Sequence, residues 1–138
     1  MKNVNSKGEN LAPSYFISSK GKYAVVVFSG VLDNSSIPIY EKIKDELESN
    51  EEACYYIYCF AAVLRFSPKA IREITNLQMF IREKGFIVRV CGFTWKDQKD
   101  LLESGAIRKA EVKKNIAQAI KGLIRAKRLK KRRKLLKR

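Results

Sequence analysis

The chain has 138 residues, 46% of them hydrophobic, and a formal net charge of +15. That is enough for one globular domain with an appendage, and it excludes two independent cores. There is no histidine, which excludes Ser-His-Asp and Cys-His catalysis, His-ligated metals and a histidine pH switch.

Three cysteines, Cys54, Cys59 and Cys91, form no CxxC pair and sit in apolar segments. They read as reduced thiols of a cytoplasmic protein, with no metal site and no cofactor implied. No apolar stretch resembles a secretory signal, and none reaches the roughly 18 residues of a membrane span. The charge is unevenly placed. Residues 108–138 hold fifteen of the 29 Lys and Arg and a single acid, Glu111, whereas residues 1–107 are almost neutral. A near-neutral domain therefore carries a basic tail.

Residues 1–13 read as a polar, flexible N-terminal arm ending at Pro13. Tyr15–Ile17 predicts a short strand, closed by a turn over Ser18–Gly21. Tyr23–Phe28 is a continuous β-branched and aromatic run, suited to a strand covered on both faces. Gly30 and Asp33–Ser36 break it, and Ser36 is the candidate cap of a helix whose first turn accepts Pro38. Ile39, Tyr40, Ile43 and Leu47 form the apolar side of that helix, with Asp45, Glu46 and Glu48 in solvent.

A second buried strand is expected at Tyr55–Phe60, followed by a loop containing Val63. Ser67-Pro68 starts a helix, Ser as N-cap and Pro where no amide donor is needed. Ile71, Ile74, Leu77 or Gln78, and Ile81 face its core, and Gly85 ends it. Phe86–Cys91 is the next strand, closed by Gly92. Asp97–Ser104 predicts a short helix stopped by Gly105, then a brief last strand at Ala106-Ile107. Val112, Ile116, Ala119, Ile120 and Leu123 stripe the final helix. Strand–helix alternation with apolar strands predicts an α/β fold: a mixed, mostly parallel sheet of four or five strands with crossover helices and a basic C-terminal helix.

The local motifs in this order are Gly30-Val31-Leu32-Asp33 after the second strand and a β-branched third strand. Cys91-Gly92 follows the fourth strand. Leu101-Leu102-Glu103-Ser104-Gly105-Ala106 precedes the last strand, and Asn115–Ile120 opens the terminal helix. Together they resemble the STAS domain family over about residues 14–121. That family includes bacterial anti-sigma-factor antagonists and the cytoplasmic domains of sulfate transporters. The resemblance implies a single STAS-like domain over 14–120, with 121–138 as a basic extension. It implies protein docking around Gly30, Leu32, Asp33, Ser67, Pro68, Lys69 and Arg72.

Departures from the family pattern carry information too. Cys59 stands where members usually have an Asp, Ser67 falls on the acid before the phosphoacceptor, and Pro68 falls on the acceptor itself. Ser67 remains a candidate modification site if the register moves by one residue, but neither Arg65 nor Phe66 supplies the preceding acid. The expectation is an anti-sigma-factor-antagonist-like interaction module, not an enzyme, without the usual phosphorylation switch. Its partner is an anti-sigma-factor-like protein or the subunit of a complex.

Other features have two readings each. Ser67 is a cap or a modification site; Cys59 and Cys91 are buried thiols or a redox pair; Asp33 is a turn cap or an ion ligand. Phe93 and Trp95 either pack on the core or anchor a partner. The tail cations Lys121, Arg125, Lys127, Arg128, Lys130, Lys131, Arg132, Arg133, Lys134, Lys137 and Arg138 suit an anionic target. RNA or the ribosome, and an anionic membrane surface, are the alternatives to the docking model.

Overall fold

The structure, a computed structural model, describes residues 12–136. The predicted N-terminal arm falls almost wholly outside the described residues, as do Lys137 and Arg138. Five strands form one sheet in the order β1-β2-β3-β4-β5: β1 (Ser14–Lys20), β2 (Tyr23–Leu32), β3 (Tyr55–Phe66), β4 (Ile87–Cys91) and β5 (Val112–Lys113). β1 is antiparallel to β2 and every other pair is parallel. The crossovers are α1 (Ile37–Ser49), α2 (Pro68–Glu83) and α3 (Trp95–Ser104), and α4 (Ile116–Leu136) closes the chain.

Alternate residues of a strand point to opposite faces, and the two faces of this sheet differ. On one, Ala24, Val26, Phe28, Tyr56, Tyr58, Phe60, Val88 and Val90 are buried beneath α1, α2 and α3. Phe28 stacks on Phe60 with ring centroids 4.7 Å apart and meets Tyr58 edge-on at 5.9 Å. On the other face, Ile57, Cys59 and Cys91 pack under Ala119 and Leu123 of α4. Tyr23, Val25 and Val27 are only half-buried there.

Several sequence expectations need correction. β1 runs to Lys20, because all seven of its residues pair with β2, leaving only a tight turn at Gly21-Lys22. Gly30 does not end β2. It lies inside the strand at φ +82°, opposite Val63 and beside a register shift. A glycine absorbs that bulge at little steric cost, so β2 continues to Leu32. β3 continues with it to Phe66, so Val63 belongs to a strand and not a loop.

Ser36 makes no side-chain cap for α1. Asp33 caps the preceding 3-10 turn (Asn34–Ser36), and the buried Ser36 hydroxyl donates to the Asp33 carbonyl at 2.6 Å. Ala106-Ile107 form no strand. Both are buried in a turn, and the last pairing with β4 comes from Val112-Lys113. Val112 is thus a strand residue and α4 begins at Ile116. α3 begins at Trp95, two residues earlier than expected, because the Thr94 hydroxyl accepts from the Asp97 amide at 3.2 Å.

Candidate functional site

In a parallel sheet the loops following the strands gather at one end. Here they are the segment after Leu32, the Phe66–Lys69 corner and the Gly92–Trp95 loop. The first two are joined directly: the Ser67 amide donates to the Leu32 carbonyl at 2.8 Å. Sequence positions more than thirty residues apart therefore meet at the head of α2.

Ser67 is the N-cap of α2. Its hydroxyl oxygen accepts from the Ala70 amide at 3.1 Å, and Pro68 occupies the first turn. Pro68, Lys69 and Arg72 are exposed, while Ser67 is half-buried. Asp33 accepts from the hydroxyl and amide of Ser35 at 2.6 and 2.9 Å. These bonds, with a smaller contribution from the Arg65 charge, hold its carboxyl below the ordinary aspartate range. Gly30 and Leu32 are buried. Of the residues that the resemblance assigns to docking, these two are therefore not at the surface.

The two aromatic residues after β4 separate cleanly. Phe93 stacks on Phe60 with centroids 4.7 Å apart and belongs to the core. Trp95 is 78% exposed, with the Lys99 ammonium 5.5 Å from its ring centre. Leu64, in the extension of β3, is 57% exposed. The end of the sheet thus presents two apolar side chains among cations.

Cys59 and Cys91 face each other across β3 and β4, both free and both buried. Burial, with Cys59 beside it, pushes the Cys91 thiol up to about 12. A thiol held protonated is a poor nucleophile, so the pair fits the structural reading.

Sequence reasoning passed over Glu111, counted only as the single acid of a basic stretch. It is buried and paired with Arg82 at 2.8 Å; it also accepts from the Arg108 amide at 2.9 Å. Gln78 donates to the same carboxylate at 3.4 Å. Glu111 ties α2 to the turn before β5, and only the fold brings these positions together. Among the described residues, no group of three or more Cys, Asp or Glu is placed to hold a metal ion. No helix there is long and apolar enough to cross a membrane.

Along α4, Lys121, Arg125, Arg128 and Arg132 are exposed. Their spacings of four, three and four place them on one side of the helix. Lys127, Lys130, Lys131, Arg133 and Lys134 are carried by the same helix.

The structure matches a serine-to-glutamate variant of RsbS from Moorella thermoacetica with a TM-score of 0.72, over 83% of this chain and 97% of that one. The fold is that of the STAS domain. Sequence identity in this match is 16%. An anti-sigma factor antagonist from Mycobacterium paratuberculosis matches with a TM-score of 0.65 at 12% identity, over 80% and 92% of the two chains. The phosphorylated form of the Bacillus cell fate determinant SpoIIAA matches at 0.64 and 10% identity, over 80% and 99%. No family model matches the chain, and no curated protein matches its sequence. What is shared with these structures is the STAS fold.

Proposed function

We propose that residues 14–120 work as a non-catalytic protein-docking module of the anti-sigma-factor-antagonist kind, with 121–138 as a basic extension. The observation that carries this reading is the Ser67–Leu32 hydrogen bond. It brings the segment after Leu32 to the head of α2, which supports a docking surface shared by Asp33, Pro68, Lys69 and Arg72. Trp95, the first residue of α3, supplies an exposed aromatic, the residue type that most often anchors an interface. The cationic character of Arg65, Lys69 and Arg72 suits a partner with an acidic patch.

The reading also holds that the usual phosphorylation switch is missing. Pro68 has no hydroxyl, and the Ser67 side chain is engaged as the helix cap. Ser67→Asp separates the two roles of that residue, because Asp is as good an N-cap as Ser and adds the negative charge of a modified side chain. Partner capture that survives Ser67→Asp supports a cap without a switch, and capture that is lost restores the switch.

A second reading rests on the cationic side of α4: Lys121, Arg125, Arg128 and Arg132 would bind RNA, the ribosome or an anionic membrane. Truncation is a poor test of it, since Leu123 is buried against the sheet. Charge reversal of exposed residues avoids that damage.

The experiment is affinity capture from native lysate with wild type, Lys69→Glu/Arg72→Glu/Trp95→Ala, and Arg125→Glu/Arg128→Glu/Arg132→Glu, each with and without nuclease. A discrete protein lost only with the first variant supports the docking module. Material lost only with the second, and released by nuclease or salt, replaces it with the tail reading.

A further inference from the structure

Among the described residues, the face of the sheet opposite α1 and α2 is only partly covered. α4 lies over β3, β4 and β5, leaving the outer hairpin open. Phe16, Ser18 and Lys20 of β1 stand opposite Val27, Val25 and Tyr23 of β2. Because Tyr15 and Ile17 pack into the helix-covered core, the alternate residues turn to the open side. Phe16 is 64% exposed there. A cleft of about 540 Å³ opens between this hairpin and α4, lined by Tyr23, Val25, Ile57 and Ile120 with Ser18, Lys20, Gly21 and Lys22 at the turn. That volume lies in the usual range for small-molecule sites, and the lining follows their pattern of an apolar floor with a few polar groups.

Charge selects among occupants. The lining includes two lysines and no acid, and α4 runs past with Lys121 and Arg125 exposed. A neutral apolar ligand would not use the lysines, and a small inorganic anion would not use the floor. The cleft follows β1 from Ser18 to Lys20, and the exposed Phe16 continues the same open face, about 13 Å in all, so an apolar chain can lie along the hairpin with a charged head at the turn. We propose that this cleft binds a single-chain anionic amphiphile: a fatty carboxylate whose chain lies on Tyr23, Val25 and Ile120, above the buried Ile57, and whose head pairs with Lys20 and Lys22. The site is on the opposite face of the sheet from the Tyr58 and Phe60 core and does not involve Ser67, Lys69 or Arg72, so it stands or falls apart from the docking reading.

The test is titration of the full chain with dodecanoate, methyl dodecanoate and butanoate, followed by calorimetry and by the methyl NMR signals of Val25, Ile57 and Ile120. The expected result is saturable one-to-one binding of dodecanoate that shifts those three methyl groups. The methyl ester should bind about tenfold more weakly, as when a hydrogen bond to a charged group is lost. Butanoate, which carries the charge without the chain, should not saturate.

Lys20→Glu/Lys22→Glu should weaken dodecanoate by at least about tenfold and leave the ester unchanged. Ile120→Glu, at a position 38% exposed, should abolish both. An unchanged thermal transition identifies either variant as folded, and Ile120→Ser provides a milder block if the glutamate variant unfolds. Overturning results are the absence of saturation, equal binding of acid and ester, or silent methyl groups with backbone amide shifts confined to Arg125, Arg128 and Arg132. The last would mean that the basic helix merely attracts anions.

Discussion

The two faces of the sheet have the same strands and different covers. Beneath α1 and α2 lies a close-packed aromatic cluster in which Phe28, Tyr56, Tyr58 and Phe60 are almost wholly removed from water. On the α4 side β2 offers Tyr23, Val25 and Val27, half-buried beside that helix, and a cleft remains. The three crossover helices on one face bury the larger core cluster, so stability is concentrated there. One helix on the other face leaves a cleft beside the hairpin. The sealed core and the open surface thus lie on opposite sides of one set of strands.

The sharpest way to break this contrast is to truncate one side chain on each face. Phe28→Ala should lower unfolding free energy by about 3–5 kcal/mol. Val25→Ala, removing two half-buried carbons, should lower it by about 1 kcal/mol. Chemical denaturation measures both, and equal losses would refute the division. Nearly as large is the effect expected at Glu111. Glu111→Ala leaves the partly buried Arg82 guanidinium without its carboxylate, which costs about 3–5 kcal/mol. Replacing the pair together, Glu111→Leu/Arg82→Met, should recover much of that loss.

Gly92→Ala comes next. Gly92 has φ +89°, and an added Cβ would lie 2.5 Å from the Ala61 amide nitrogen. The backbone strain alone is about 1–3 kcal/mol, and the contact adds to it, so a lowered melting temperature is expected.

The last prediction concerns pH. Burial pushes Tyr40 up to about 12 from 10.0 and Cys91 up to about 12 from 9.0. Well below pH 9 both groups are protonated whether the chain is folded or not, and neither makes stability depend on pH. Between about pH 9 and 12 the unfolded chain releases protons that the native chain retains, so stability falls as pH rises. Cys91→Ala should flatten the lower part of that decline and Tyr40→Phe the upper part, in denaturant midpoints compared across pH. An unchanged slope in Cys91→Ala would show the thiol to be less buried than the structure has it.

Periodicity and capping chemistry made much of the α/β order legible in the sequence. Ser67-Pro68 and Gly105 mark helix ends by local rules that hold wherever the residues sit, and Tyr55–Phe60 is apolar enough to be a strand in any context. The misreadings have one physical source. Gly30 and Val63 look like a strand breaker and a loop residue until they are paired with each other. Ala106-Ile107 look like a strand until Val112-Lys113 takes their place beside β4. Strand ends are decided by partners distant in sequence, which local propensity does not contain.

The candidate site divides in the same way. The identity of Pro68 at the head of a helix, and with it the absence of a hydroxyl there, can be read from the sequence alone. So can the concentration of cations after Arg108 and the lack of any histidine chemistry. The nearness of Asp33 to Ser67 was expected only through the family resemblance, and the register of β2 on β3 creates it. The burial of Leu32, the separation of Phe93 from Trp95 and the pairing of Glu111 with Arg82 were settled by tertiary packing. Composition and local pattern determine which segments become strands and helices, because those rest on interactions within a few residues. Which side chains meet, and which face stays open, depends on contacts that exist only once the chain has closed on itself.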